Sequence, residues 1–255
     1  MIDISVFKTE KFFIDSDTKL ICPDCNIGHL ISNQKNIQII EYKKYNNDIF
    51  ALYDYESEWL KFAFVGFLEC NNNHCNEKIA VSGRLVVNYG YYESQYIPDE
   101  YITVDEKICY PEYFARTPRI IEIDDKYPSE IRDILSSAFS LFWLDKNACV
   151  NRLRSCIENI LDSFGVPKRQ RTKKGLRPFS LHNRIERFCK KNDKYKKILT
   201  AVKWIGNVGS HSDDVKVKNI LDGFRLIDYM LKELYINEEK EILKLSKKYN
   251  KTKGK

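Results

Sequence analysis

Hydrophobic and polar positions change their period once along this chain. Up to Phe114 the apolar positions come in short β-branched and aromatic runs, NIQIIEY, IFALYDY and FAFVGFLEC, which predict strands. The stretch KIAVSGRLVVNYG predicts a hairpin turning at Ser82–Gly83. Tyr89 to Pro118 is rich in Tyr, Pro and acidic residues and reads as an irregular wrap and linker.

From Tyr127 the period becomes 3.6 and stays there. Ile131, Ile134, Leu135, Ala138, Phe139 and Phe142 form one helical stripe. Cys149, Leu153, Cys156, Ile157, Ile160 and Phe164 form a second, stopped by Gly165 and Pro167. Ser180 can cap a third helix carrying Leu181, Ile185 and Phe188. Asp193 can open a fourth, with Ile198, Leu199, Val202 and Ile205 inward, and Asp213 a long fifth running from Ile220 to Leu234. The expected fold class is α+β: a zinc-ribbon-like antiparallel β domain with an irregular linker over 1–114, then an all-α antiparallel bundle over 115–237. Residues 238–255 read as a basic C-terminal helix that soon frays into a tail.

Charge sharpens this division. Of 42 Lys+Arg and 36 Asp+Glu, residues 1–126 hold 13 and 21, a net of −8. Residues 127–255 therefore hold 29 and 15, a net of +14, which suits phosphate-bearing partners, RNA or DNA. The first 20 residues carry charges throughout with no apolar core, which argues against a signal peptide, and no run approaches the length of a membrane span. The expected compartment is the cytoplasm. No P-loop, Rossmann glycine pattern or nucleophile motif is present to suggest a small-molecule enzyme.

Four of the eight cysteines form two close pairs, Cys22/Cys25 in CPDC and Cys70/Cys75 in CNNNHC. Two short-spaced pairs can complete a tetrahedron of thiolates around a structural Zn²⁺, with no coordination position left for chemistry. Buried thiols or a redox pair are the competing readings, and His74 could replace Cys75 as a ligand. Cys109, Cys149, Cys156 and Cys189 sit in apolar patterns and read as buried free thiols.

Two further segments carry chemistry. Lys168, Arg169, Arg171, Lys173, Lys174 and Arg177 crowd PKRQRTKKGLRP, read as an exposed loop that either meets nucleic-acid phosphates or is simply solvated. The segment AVKWIGNVGSHSDDV puts Gly206, Asn207, Gly209 and Ser210 just before His211, an arrangement that costs helix propensity and implies close packing or a required backbone shape.

On the IGNVGSH segment, on NRLRSCIENIL (Asn151–Leu161) and on KYPSEI before the first helix, the chain resembles the domain-of-unknown-function family numbered 4145, which looks like a branch of the HEPN superfamily of helical bundles. A CPDC-type zinc ribbon in front is also common in that family. The resemblance implies an HEPN-like bundle that forms a homodimer and works in prokaryotic defence or stress systems. It further implies metal-independent endoribonuclease chemistry, with a His that moves a proton and an Arg that holds the negative transition state. His211 matches that histidine, and Asn207 lies one turn before it. No Arg stands four to six residues before His211; Lys203 is the nearest upstream basic residue. Arg154 and Glu158 match an R-x-x-x-E element, either an ordinary i,i+4 pair or part of a polar pocket near His211. A non-catalytic module, dimerising through the bundle and docking a protein through the ribbon, is the alternative function.

Overall fold

The computed structural model describes residues 2–52, 54, 59–93, 101–172, 175–190, 192–211 and 215–253; of these, the side chains of 89–93, 101–104, 172, 209–211 and 238–240 are not described. The chain divides into two compact units, Ile2–Arg119 and Ile120–Lys255.

The first unit is an antiparallel sheet. Its strands are β1 (Phe12–Phe13), β2 (Asp17–Ile21), β3 (His29–Ile31), β4 (Ile37–Glu41), β5 (Phe62–Cys70), β6 (Lys78–Glu93) and β7 (Tyr101–Phe114), with helix α1 (Lys43–Phe50) between β4 and β5. The order is β1-β7-β6-β5-β3-β2. β3 and β4 share one edge of β5, β3 against Glu69 and Cys70, β4 against Phe62–Gly66. Alternation along β5 turns Phe64, Leu68 and Cys70 into the core, where Phe12 meets Phe64 edge-on at 5.7 Å. Each such fully buried side chain contributes about 1.5–3 kcal/mol.

Three expectations for this unit are corrected. Ser82–Gly83 is no hairpin turn, because β6 runs through it; there the register slips past Glu112, so that Ser82 faces Tyr113 and Gly83 faces Pro111. A bulge accommodates a proline, which has no N–H for the ladder. The presumed linker is mostly strand, since β6 reaches Glu93 and β7 spans Tyr101–Phe114. IFALYDY does not begin as a strand either: Ile49 and Phe50 end α1.

The second unit is helical: α2 (Ser129–Leu144), α3 (Lys146–Ser163), α4 (Leu181–Phe188), α5 (Asp193–His211), α6 (Val217–Leu231) and α7 (Glu238–Thr252). α3 is the central element, packed on α2, α5 and α6, with Leu153, Ile157, Ile160 and Leu161 fully buried. Asp145 ends α2 and caps α3 through the Ala148 amide, and Ser180 caps α4 as expected. α5 is capped by Asn192, which accepts from the Tyr195 amide, rather than by Asp193. The expected cap Asp213 lies outside the described residues; α6 follows Lys216 with no side-chain cap. After Leu231 one π-helical turn, Lys232–Ile236, closes on left-handed Asn237. The C-terminal segment does not fray early, as α7 continues to Thr252. Between α3 and α4 the basic segment is not a loop but a hairpin, β8 (Arg169–Thr172) with β9 (Gly175–Pro178). Among the described residues no helix is long and apolar enough to cross a membrane.

Candidate functional site

The four paired cysteines converge at one end of the sheet. Cys22 and Cys25 occupy the turn between β2 and β3, while Cys70 ends β5 and Cys75 lies in the turn that leads to β6. All four Sγ atoms lie within 4.8 Å of one another, with Cys25–Cys70 at 3.6 Å and Cys22–Cys75 at 3.9 Å. A tetrahedral ion with metal–sulfur bonds of about 2.3 Å needs edges of about 3.8 Å, so the set could hold a metal ion. No disulfide joins any of the eight cysteines.

The two turns are built alike. Asn26 donates its amide to Cys22 O and Asn76 donates to Asn72 O, and both asparagines take left-handed φ just past the second cysteine of their pair. Gly28 must be glycine, since a Cβ there would stand 2.5 Å from Cys70 Sγ. Backbone amides point at sulfur, Gly28 to Cys25 at 3.3 Å and Asn72 to Cys70 at 3.5 Å. Burial pushes the Cys25 thiol up, but the Gly28 and Ile27 amides with Asn72 and Cys70 outweigh it and bring it to about 6. Burial pushes Cys70 up to about 12, and its neighbouring cysteines add to the effect. A cation at the centre would relieve this repulsion among sulfurs. The two histidines near the pairs stand apart from the thiol cluster: His29 faces Asp17 at 3.3 Å and His74 is exposed.

Arg116 ties the turns together, donating to Asp24 at 2.6 Å and Glu77 at 2.7 Å. No local pattern in the sequence announces this bridge, because its partners lie 92 and 39 residues away.

In the helical unit, Arg154 of α3 donates through Nη1 to Asn207 Oδ1 of α5 at 2.6 Å. Glu158 lies one turn further along α3, its Oε1 3.9 Å from Arg154 Nε. Gly206 allows this approach, for a Cβ there would sit 2.7 Å from Arg154 Cβ. The structure therefore brings together Arg154, Glu158 and Asn207. α5 extends one further turn to His211, whose side chain lies outside the described residues. Beside this cluster Trp204 is 59% exposed, with Lys203 Nζ 3.8 Å over its ring.

The basic hairpin separates its charges by face. Arg169 and Arg171 are two apart on β8 and share one face, while Arg177, opposite Gln170, takes the other. All three are exposed, and Lys173 and Lys174 lie outside the described residues. Lys168 is paired with Asp162 at 2.8 Å, and the buried Arg184 donates to the same carboxylate and to Val166 O. Burial raises Asp162, yet the hydrogen bonds from Lys168 and Arg184 outweigh it and hold it below the usual carboxylate value. Cys109, Cys149, Cys156 and Cys189 are buried, and burial pushes each thiol up, which leaves them poor nucleophiles.

No curated protein and no solved structure matches the chain. Residues 10–114, which contain the four clustered cysteines, match a family model described as Domain of unknown function (DUF8608). Residues 136–252, which contain Arg154, Asn207 and His211, match one described as Domain of unknown function (DUF4145), so the helical unit is similar to that family.

Proposed function

We propose that this is a nucleic-acid-associated protein whose helical unit is an HEPN-like, metal-independent endoribonuclease and whose N-terminal unit is a zinc ribbon. The observation that carries the reading is the Arg154–Asn207 contact. It brings an arginine from α3 to the α5 segment that lacks one before His211, so the cation of the reaction comes from a neighbouring helix.

In this mechanism His211 takes the proton of a ribose 2′-OH as its oxygen attacks the adjacent phosphorus. The 5′-oxygen leaves, taking the proton that His211 removed, and a 2′,3′-cyclic phosphate remains. Arg154 holds the charge that builds on the phosphoryl oxygens, and Asn207 fixes the guanidinium plane. DNA lacks the attacking hydroxyl and is not cut. The exposed Arg169, Arg171 and Arg177 supply sequence-independent phosphate contacts. Two copies pair near the Asn207–His211 segments, with exposed Trp204 and Val208 as apolar contact. The four cysteines hold Zn²⁺, which supplies folding energy and no open position for catalysis. A cytoplasmic role in prokaryotic defence accords with the family likeness.

The exposed Trp204 beside the cluster equally suits a non-catalytic module that pairs or docks a protein. Incubation with mixed RNA, without added divalent metal, separates the readings. The nuclease reading expects cleavage by the wild type and none by His211→Ala with its oligomeric state unchanged. Absence of cleavage by the wild type favours the module.

A further inference from the structure

A second candidate surface lies in the N-terminal unit, built from residues that neither the cysteine cluster nor the helical site uses. α1 and the start of β5 form a groove of about 630 Å³ lined by Tyr42, Lys43, Lys44, Tyr45, Asp48 and Lys61. Tyr42 is 50% and Tyr45 39% exposed. Lys61 places Nζ 3.9 Å over the Tyr45 ring, so a cation sits beside an aromatic platform. Asp48 is the one carboxylate among the described lining residues.

Two features make this more than a chance cluster of exposed side chains. First, the N-terminus of α1 lacks a side-chain cap and any acidic residue in its first turn, and it opens on Lys43 and Lys44. Cations at the positive end of a helix oppose its dipole, a conflict that a bound anion reverses. Second, the groove's backbone is tied together by hydrogen bonds. Asn46 is fully buried and grips the Lys61 backbone from both sides, accepting from its N–H at 2.8 Å and donating to its C=O at 3.1 Å. The Tyr42 amide donates to the same carbonyl at 3.2 Å. The Tyr42 amide thus extends the β4–β5 ladder by one rung, and Asn46 ties α1 to the Lys61 backbone.

We infer that this groove binds single-stranded nucleic acid, with Lys43, Lys44 and the α1 amides on phosphates and Tyr42 and Tyr45 stacking on bases. Clustered cations with interleaved rings in a net-acidic unit favour a ligand carrying both phosphates and planar rings. The site stands independently of cleavage by the helical unit.

The test is fluorescence anisotropy of the full-length chain with a labelled oligodeoxythymidylate, which has no 2′-OH and survives any ribonuclease activity. Tyr42→Ala/Tyr45→Ala should bind at least about tenfold more weakly, and Tyr42→Phe/Tyr45→Phe close to wild type, because stacking needs the ring and not the hydroxyl. Lys43→Glu/Lys44→Glu should weaken binding and flatten its salt dependence. These residues are exposed, so circular dichroism should show all variants folded. No wild-type binding, unchanged affinity in the double alanine variant, or equal displacement by poly-glutamate, which would assign the groove to acidic peptides, overturns the inference. Binding lost in Arg169→Ala/Arg171→Ala/Arg177→Ala but kept in the tyrosine variants overturns this site while leaving the helical-unit proposal standing.

Discussion

Arg154 and Asn207 are separated by 53 residues, yet Nη1 of one donates to Oδ1 of the other at 2.6 Å across the α3–α5 contact. Their closeness depends on Gly206, the residue beside Asn207. Gly206→Ala would push a methyl group into Arg154 Cβ and force the helices apart. The expected cost is about 1–3 kcal/mol of stability, the range for overpacking a close contact. Urea melts give the stability, and RNA cleavage should fall along with it. An unchanged melt would mean that the two helices yield freely at this point.

The cysteine cluster makes a separate prediction. Freshly purified, reduced protein should carry about one zinc per chain by elemental analysis. Cys22→Ser should lose the metal and unfold the N-terminal unit before the helical one, since each has its own core. Gly28→Ala removes no ligand but places a Cβ 2.5 Å from Cys70 Sγ, so it too should lower zinc occupancy. Metal-free wild-type protein would end the zinc assignment.

Acid should weaken the helical unit through Asp162. Its folded pKa lies below its unfolded value of about 3.9, so the carboxylate's stabilisation is complete above that value and is lost as pH falls through the folded one. Asp162→Asn should destabilise at neutral pH by about 2–3 kcal/mol, because Arg184 is left buried without its anion while Asp162 itself keeps a side toward solvent. The variant should then lose less stability than wild type between about pH 5 and about pH 3. Parallel pH profiles of the two proteins would show that the pair contributes nothing.

Much of this was legible in the sequence where the signal is local. The two cysteine pairs announce their own turns, and the stripes on α2, α3 and α6 repeat often enough to mark their buried faces. Signals spread over long separations were not legible. The Tyr-rich stretch around Tyr89 and Tyr101 hides long strands because its pairing partner, not its own alternation, defines it. α1 was hidden because Asn46, a polar residue, is what anchors it. The hairpin at Arg169–Pro178 carries charge where strand patterns carry β-branched residues. Arg154 and Asn207 lie on separate stretches of sequence, and only the packing of α3 on α5 brings them together.

The most direct measurement is a double-mutant cycle of Arg154→Ala and His211→Ala, read as single-turnover cleavage of RNA without added divalent metal. If both act on one phosphate, each single variant should lose about 10²–10³-fold or more, and the double variant should be little slower than the worse single one. Cleavage by wild type that survives Arg154→Ala unchanged, or losses that simply multiply, would contradict a site shared between α3 and α5.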